Sequence, residues 1–169
     1  MPSRPIVQYP DPSLRTCAAP IDSFGEDIRQ AVLDLRDTLM EVSAIGLAAP
    51  HIGVPLRIVV VRMAPDRAVE VYLNPRVVSS STDLASFEEG SVSMPGIRET
   101  IERPARIRIA FEDVDGTSHE RDAEGFEAAV LQHEIDQLDG IFWIDRLSRL
   151  KRERLVKRYE KTRRHGSGD

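Results

Sequence analysis

Apolar residues in the N-terminal third of the chain follow a helical pattern. In the stretch PIDSFGEDIRQAVLDLRDTLMEV they recur every three or four positions, at Ile28, Val32, Leu35 and Leu39. Residues with this spacing share one face of a helix, so the pattern predicts an amphipathic helix of about four turns. Ser23 precedes the helix and is predicted to cap its N-terminus.

The middle of the chain has a strand pattern instead. LRIVVVRM and EVYLNPRVV are rich in β-branched residues and are interrupted by proline, aspartate and asparagine, which indicates strands. ARIRIAFEDV and DGTSHERDA follow as two further extended segments, and we expect them to form a hairpin. Asp115 and Gly116 are predicted to form a type I′ turn between them.

Helical periodicity returns towards the C-terminus. A second helix is predicted from Glu124 to Leu138, with Gly140 as the left-handed residue after its end. A third is predicted over residues 147–164, with an apolar stripe of Leu147, Leu150, Leu155 and Tyr159. Strands in the middle with helices before and after them indicate an α+β fold. We expect residues 1–164 to form a single domain and residues 165–169 to be a frayed tail.

Composition places the chain among ordinary globular proteins. Of its 169 residues, 41% are hydrophobic and 30% are charged. No apolar run reaches the length of about 18 residues that a membrane span needs, and the N-terminus has no apolar signal segment. Cys17 is the single cysteine, which excludes an intramolecular disulfide. These features predict a cytoplasmic protein without a membrane partner.

Charge is unevenly distributed along the chain. Residues 146–164 carry ten Lys or Arg and two Glu, a local charge of +8, although the whole chain carries −5. A basic segment on an acidic protein indicates an anionic partner, and RNA is the obvious candidate. The same pattern also fits a solvated amphipathic helix without a partner, and charge alone leaves both interpretations open.

The stretch AVLQHEIDQLDG, residues 129–140, contains part of a metal-binding motif. His133 and Glu134 open the pattern H-E-x-x-H, in which two histidines on one helical face bind zinc and the glutamate acts as a base. Gln137 occupies the position of the second histidine. By itself, the pair favours an ordinary buried histidine on a surface helix over a metal ligand.

Two other segments change that interpretation. AIGLAAPHIG, residues 44–53, packs small residues together, and FEEGSVSMPG, residues 87–96, combines two acids, a glycine and a Pro-Gly pair. In this order and spacing, these segments and the H-E helix resemble the three motifs of the peptide deformylases. The resemblance extends through YPDPSLR and DRLSRLKRERL and covers residues 5–160. It implies the deformylase fold, with small mixed or antiparallel sheets around the H-E helix, and the helices predicted before and after it.

The resemblance also implies an activity with a metal cofactor. The family removes the formyl group from the N-terminal formylmethionine of nascent bacterial chains, using a divalent iron, nickel or zinc ion. Carried over by position, His133 is a metal ligand and Glu134 is the general acid and base. Three other family positions are changed, because Ser91 replaces the ligand cysteine, Gln137 replaces a ligand histidine, and His51 replaces a glutamine.

These replacements weaken the expected metal site. A serine hydroxyl and a glutamine amide are neutral, and they are poor substitutes for thiolate and imidazole on zinc or iron. One alternative is a rearranged site, in which His51 joins His133 and the oxygens of Ser91 and Gln137 bind weakly. Another is Ser91 acting as a nucleophile beside His51, for which the sequence shows no orienting acid.

The positions that contact the peptide are closer to the family. Ile45, Gly46, Gly90 and Arg98 match substrate-binding positions, and Val92 matches the residue whose N–H stabilises the oxyanion. The methionine side chain is expected in an apolar pocket lined partly by the H-E helix.

Two functions therefore remain open. One is a weak or rearranged metal-dependent amide hydrolase acting on formylated nascent peptides. The other is a non-catalytic paralogue that binds formyl-peptides or the ribosome. The basic helix at residues 147–164 resembles the C-terminal helix by which bacterial deformylases approach the ribosome, and this favours RNA as its partner.

Overall fold

The computed structural model describes residues 3–166, which form three α-helices and seven strands. The helices are α1 (Glu26–Val42), α2 (Gly125–Leu138) and α3 (Arg149–Gly166). The strands are β1 (Gly46–Ala48), β2 (Ile58–Val61), β3 (Glu70–Ser80), β4 (Leu84–Ser91), β5 (Met94–Pro104), β6 (Arg106–Glu112) and β7 (Ser118–Glu124).

The strands form two antiparallel sheets. Five of them make one sheet in the order β1-β2-β3-β6-β7, and β4 and β5 make a separate hairpin. The predicted α+β class is confirmed, and every strand pair within the sheets is antiparallel. Helix α2 lies between these sheets, since it contacts β1, β2 and β7 on one side and β4 and β5 on the other.

Helix α1 packs its predicted apolar face into the core. Ile28, Val32, Leu35 and Leu39 are buried in one cluster with residues of β2 and β3. The predicted cap at Ser23 is wrong, because the N-cap residue is Gly25 and no side chain caps the helix. Acidic residues in the first turn favour this end by interacting with the helix dipole.

The predicted β6–β7 hairpin is present with a different turn. The strands pair from Arg106 with Glu124 to Glu112 with Ser118, which leaves five residues in the loop. A type I′ turn needs positive φ at both central residues, but Gly116 has φ of 83° and Asp115 is not left-handed. The Asp113 carboxylate organises the longer loop by accepting hydrogen bonds from the backbone N–H groups of Asp115 and Thr117.

The β4–β5 hairpin was not predicted. FEEGSVSMPG has no clear alternation of apolar and polar residues, yet it forms the end of β4, the reversal and the start of β5. The chain reverses at residues 92–93, between the paired residues Ser91 and Met94. The Pro-Gly pair lies inside β5, where the register shifts. This hairpin brings the second motif against helix α2.

Helix α2 is buried on most of its surface. Its apolar residues Ala128, Leu131, Ile135 and Leu138 join the core cluster formed with the five-stranded sheet. It ends before Gly140, whose φ of 75° confirms the predicted left-handed residue. A side chain there would lie 2.7 Å from the backbone oxygen of Arg15, so the chain also needs glycine for space.

Helix α3 covers a third core cluster with part of its predicted stripe. Leu155 and Tyr159 are buried, whereas Leu150 is 58% exposed and Leu147 precedes the helix. The helix starts two residues later than predicted and continues through residues 165–166, where a frayed tail was expected. Residues 167–169 of that tail lie outside the described residues. None of the helices in residues 3–166 is long and apolar enough to cross a membrane.

Candidate functional site

A cavity of about 490 Å³ lies where the three sequence motifs meet. Its walls come from the end of α1 with β1, from the β4–β5 hairpin and from α2. The structure brings nine of the ten predicted site residues to its lining: Ile45, Gly46, His51, Gly90, Ser91, Val92, Arg98, His133 and Glu134. Segments that are far apart in sequence therefore form one site.

Gln137 is the predicted site residue that does not line the cavity. It is 2% exposed, and its Nε2 donates a hydrogen bond to the backbone oxygen of Leu14 at 2.7 Å. Leu14 lies in a short 3-10 helix near the N-terminus, so this bond holds that segment against α2. The position that carries a ligand in the family has become a structural contact.

His133 is held by a buried carboxylate. Its Nδ1 lies 2.8 Å from Glu89 Oε1, and Arg103 donates two hydrogen bonds to the same carboxylate at 2.7 and 2.9 Å. Burial alone would raise the pKa of Glu89, but the hydrogen bonds from His133 and Arg103 outweigh it and lower this pKa to about 2. An ionised carboxylate only accepts, so His133 Nδ1 is the donor and Nε2 is left for the cavity.

The pKa of His133 responds to the same surroundings. Burial lowers it, but the hydrogen bond to Glu89 and the charge of Glu134 outweigh burial, so the net shift is upward. Nε2 of His133 lies 4.0 Å from Glu134 Oε1.

The support for His133 continues into an ion network behind the cavity. Arg103 Nη1 lies 2.8 Å from Asp136 Oδ2, and Arg146 donates to both oxygens of Asp136 at 2.9 and 2.7 Å. Each buried carboxylate in this network has a guanidinium partner, as burial of charge requires. The network fixes the orientation of the His133 ring through Glu89.

His51 and Glu134 form a second buried pair with incomplete hydrogen bonding. The Ala48 N–H donates to His51 Nδ1 at 3.1 Å, so in the neutral ring the proton is on Nε2. His51 Nδ1 lies 3.7 Å from Glu134 Oε2. Within residues 3–166, neither His51 Nε2 nor Glu134 Oε2 has a hydrogen-bond partner. Both residues line the cavity.

Burial shifts the protonation of this pair towards neutral forms. It raises the pKa of Glu134 to about 7. It lowers the pKa of His51 to about 3, with the nearby charge of His133 acting in the same direction. At neutral pH, therefore, His51 is uncharged, and Glu134 exists both as the acid and as the carboxylate.

Ser91 stays in the cavity at the end of β4. Its Oγ accepts a hydrogen bond from the Ser93 N–H at 3.1 Å, which leaves its own proton free to be donated. Gly90, just before it, has no room for a side chain, because an added Cβ would lie 2.9 Å from the Ile97 backbone oxygen. The glycine lets the two strands of the hairpin approach closely beside Ser91.

On the opposite wall of the cavity, strand β1 and helix α2 also lie very close together. A Cβ on Gly46 would lie 3.0 Å from Val130 and 3.1 Å from Glu134, so glycine lets β1 pack directly on α2. Ile45 and Phe126 are each 39% exposed at the rim and make the entrance apolar. Arg98 is largely exposed there, with Nη1 3.6 Å from Glu88.

The donors in the cavity do not fit the transition metal that the family uses. His133 offers one imidazole nitrogen and Ser91 a neutral hydroxyl, while Gln137 faces Leu14. No group of three His, Cys, Asp or Glu side chains in residues 3–166 is arranged to hold a metal ion. The rearranged set of His51 and His133 with weak oxygen ligands contains only two such side chains, so it stays a prediction.

The fold and this cavity define a protein of the deformylase type. An H-E helix is enclosed between a five-stranded sheet and a hairpin, with a small-residue strand and an E-G-x-V-S turn facing the helix. The polypeptide deformylase family matches residues 3–153, and the chain belongs to this family. The resemblance stated from the motifs is thereby confirmed.

Individual relatives refine the comparison. A peptide deformylase-like protein of Bradyrhizobium diazoefficiens is 49% identical over 161 residues, which are 95% of each chain. A peptide deformylase of the same organism is 42% identical over 168 residues, covering 95% of this chain and 97% of that one. The crystal structure of a peptide deformylase from Legionella pneumophila has a TM-score of 0.92 and 36% identity, covering 99% of each chain.

The groups that support His133 were not predicted from the sequence. Glu89 was quoted within its motif without a role, and Arg103, Asp136 and Arg146 were not identified. Asp136 lies three residues after His133 on α2, a spacing that could have drawn attention to it. Nothing in the sequence paired Arg103 with Glu89, because that contact depends on the unpredicted β4–β5 hairpin.

Proposed function

We propose that this chain is a deformylase-like protein that binds the formylated N-terminus of a peptide in the cavity, with weak or absent metal-dependent hydrolysis. The observation that carries this proposal is the orientation of Gln137. Its amide is committed to Leu14, while the nine residues expected to meet substrate or metal line one cavity. This arrangement supports a retained peptide site beside a weakened set of metal ligands.

Binding is supported by the mixture of groups in the cavity. Ile45, Phe126 and Val130 offer apolar contact for a methionine side chain. Glu134 and His51 each have a buried polar atom without a partner among the described residues. A formamide has one N–H and one carbonyl oxygen, so it can pair with such atoms and relieve their burial. The N–H of Val92 is the proposed further donor to the formyl oxygen.

Weak metal binding follows from the donors. Structural zinc sites contribute about 10–16 kcal/mol in total, so replacing two of three protein ligands removes several kcal/mol, or about a thousandfold in affinity or more. Membership of the family leads us to expect a divalent metal. With these donors, the protein binds that metal weakly. Amide hydrolysis by the family route needs that ion as Lewis acid.

The test measures metal content, binding and turnover on one preparation. We expect well under one equivalent of iron, nickel or zinc by elemental analysis, saturable binding of formyl-Met-Ala by calorimetry, and little deformylation. Unformylated Met-Ala is the matched control ligand. A stoichiometric ion that resists chelation, together with rapid deformylation, would show that the proposal is wrong.

Restoring the ligands gives a second arm. Ser91→Cys with Gln137→His rebuilds the family ligand set around His133, and we expect a tightly held ion and faster deformylation. The single variant Ser91→Cys is the control, since it lacks the second imidazole. If the double variant binds metal and remains inactive, the loss of activity involves more than the metal ligands.

A second candidate function is ribosome binding through α3, which we propose on the charge and exposure of this helix. Arg154, Lys157, Arg158 and Lys161 are exposed on a segment with a charge of +8. Contacts to RNA phosphates release counterions, so such binding weakens steeply as salt rises. Binding to a translating ribosome would also place the protein in the cytoplasm, beside nascent formylated chains.

Co-sedimentation with ribosomes tests this second function. Replacing Arg154, Lys157 and Arg158 with Glu should abolish sedimentation at low salt. The matched control replaces three exposed arginines elsewhere, Arg36, Arg67 and Arg76, with Glu. Salt-independent sedimentation, or equal losses in both triple variants, would contradict a role for α3.

A further inference from the structure

The cavity contains the parts of a nucleophilic site that needs no metal. The sequence offers His51 as the general base for Ser91, but it shows no acid that would orient His51. In the structure, the oriented base is His133, because Glu89 holds its Nδ1 at 2.8 Å. We propose that Ser91 accepts acyl groups from activated acyl compounds, with His133 as general base and Glu89 as the residue that positions it.

The first step concerns the base. Glu89 is buried and fixed by two hydrogen bonds from Arg103, and its Oε1 lies 2.8 Å from His133 Nδ1, so it accepts the proton on that nitrogen. The neutral imidazole then has its lone pair on Nε2, the atom left for the cavity. A carboxylate that sets the histidine tautomer in this way is the arrangement of the Ser-His-acid hydrolases.

The second step concerns the nucleophile. Ser91 and His133 line the same cavity, on the hairpin and on α2 respectively. The Ser93 N–H fixes the Ser91 oxygen at 3.1 Å, and the hydroxyl proton remains free. The two side chains share no hydrogen bond in the free protein. Such bonds are often long or absent before substrate binds, and they form in the substrate complex.

The replacement of cysteine by serine is central to this inference. A cysteine at position 91 would be available as a thiolate ligand, and an ion bound there would also occupy the nitrogen of His133. A neutral hydroxyl holds an ion poorly, so the nitrogen and the hydroxyl are both left for chemistry with an acyl group.

The reaction balances with water as the second reactant. Ser91 Oγ forms a bond to the carbonyl carbon, and its proton passes to His133 Nε2. The Val92 N–H is the proposed hydrogen-bond donor to the resulting oxyanion. When the tetrahedral adduct collapses, the bond to the leaving group breaks, and that group takes the proton from His133. Water then adds to the acyl-serine and gives a proton to His133. When this adduct collapses, the bond to Ser91 Oγ breaks, Oγ takes the proton from His133, and the carboxylic acid is released.

The substrate class follows from the donors in the cavity, which do not fit a transition metal. Without a Lewis acid, the site gives little help to a poor leaving group such as the amine of a peptide bond. Esters and thioesters of small acyl groups have better leaving groups, and the apolar rim at Ile45 and Phe126 suits them. This inference uses the acyl-binding cavity of the proposed function and assigns it a different reaction.

The experiment uses the full chain with excess chelator and p-nitrophenyl acetate as the probe. We expect a burst of nitrophenol and one acetyl group, located on Ser91 by peptide mass spectrometry. Ser91→Ala should reduce the acylation rate by about a hundredfold or more, the usual effect of losing a nucleophile and its general-base assistance. The matched control Ser93→Ala should acylate like the wild type, because Ser93 Oγ lies buried without a partner in residues 3–166.

Further variants test the roles of Glu89 and the serine oxygen. Glu89→Gln should lower kcat for the ester while KM stays near the wild-type value, as expected if Glu89 positions His133 and does not bind substrate. Ser91→Cys should stay acylated in chelator, since a thiol is also a nucleophile, which covers the case in which Ser91→Ala fails to fold.

Two results would overturn the inference. One is acetylation spread over surface lysines with Ser91 unmodified, and the other is an equal burst in Ser91→Ala and the wild type. Calorimetry with formyl-Met-Ala separates this failure from that of the proposed function. If the protein binds the peptide but is not acylated, only the inference about Ser91 is wrong. If it does not bind the peptide, the proposed function is wrong.

Discussion

Helix α2 carries buried polar side chains on two sides, and the two sides differ in how they are paired. Towards Arg103 and the N-terminal segment, Gln132, Asp136 and Gln137 are all hydrogen-bonded. Towards the cavity, Glu134 and the facing His51 each have a buried atom without a partner in residues 3–166. The same helix therefore contains both a completed polar network and an incomplete one.

The difference separates structural from functional polarity. A buried polar atom without a hydrogen-bond partner costs about 1–3 kcal/mol. On a side of the helix that binds no ligand, we therefore expect the buried polar side chains to be hydrogen-bonded within the protein. The two residues that carry the unpaired atoms line a cavity of about 490 Å³. On this helix, the ligand site is therefore indicated by missing hydrogen bonds and not by the polarity of the residues, since polar residues occur on both sides.

The largest expected effect lies on the paired side. Arg103→Met removes the guanidinium between Glu89 and Asp136 and leaves two buried carboxylates short of a partner. We expect a loss of about 3–5 kcal/mol in the free energy of unfolding, measured with urea. Arg108→Met is the control, because Arg108 pairs with exposed carboxylates and should change stability by about 1 kcal/mol or less. Similar losses in both variants would contradict the comparison.

On the unpaired side, stability should depend on pH through Glu134. Its pKa is raised from 4.5 to about 7 in the folded protein, so the folded state retains a proton that the unfolded state releases. The stabilisation is complete below pH 4.5 and is lost as pH rises through 7, by about 3 kcal/mol. Glu134→Gln should lack this loss, so its stability relative to the wild type should increase as pH rises through this range in urea titrations. A difference that does not vary with pH would show that Glu134 is ionised throughout.

A smaller effect is expected at Gln137. Gln137→Leu keeps the volume but leaves the Leu14 backbone oxygen without its donor, which should cost about 1–2 kcal/mol in thermal unfolding. Gln8→Leu, on the surface, is the control and should stay within about 0.5 kcal/mol. Zinc affinity should be equal in Gln137→Leu and the wild type. A fall in zinc affinity would mean that Gln137 turns into the cavity as a ligand.

The smallest effect is expected at Ser93. Its hydroxyl is buried without a partner among the described residues, so Ser93→Ala removes no hydrogen bond. We expect the free energy of unfolding to increase by about 1 kcal/mol, because a buried hydroxyl without a partner destabilises the folded state by about this amount. Ser91→Ala serves as the contrast, since it removes the acceptor of the Ser93 N–H. A loss above about 1 kcal/mol in Ser93→Ala would reveal a partner such as an ordered water.

Elements with strong periodicity could be predicted from the sequence, and elements defined by distant contacts could not. The repeat of Ile28, Val32, Leu35 and Leu39 reports directly on a buried helical face. The β4–β5 hairpin has no such repeat, because buried charged residues such as Glu89 and Arg103 occupy positions where apolar residues would reveal the strands.

The candidate site shows the same division. The motifs placed nine residues in one cavity because the family resemblance specifies which positions meet. The orientation of Gln137 was not predictable from its i+4 spacing to His133, since a side chain on the same face can still turn to a nearer acceptor. Leu14 supplies that acceptor from 123 positions away in the chain.

The bond between Gln137 and Leu14 also imposes an order on the two substitutions that would rebuild the family's ligand set. Gln137→His as a first change removes a buried hydrogen bond and gains no ion, because position 91 is still a hydroxyl. Ser91→Cys as a first change leaves that bond intact and adds a thiolate beside His133, so the later loss at position 137 can be offset by metal binding. Changing position 91 first therefore avoids the less stable intermediate that arises when position 137 is changed first.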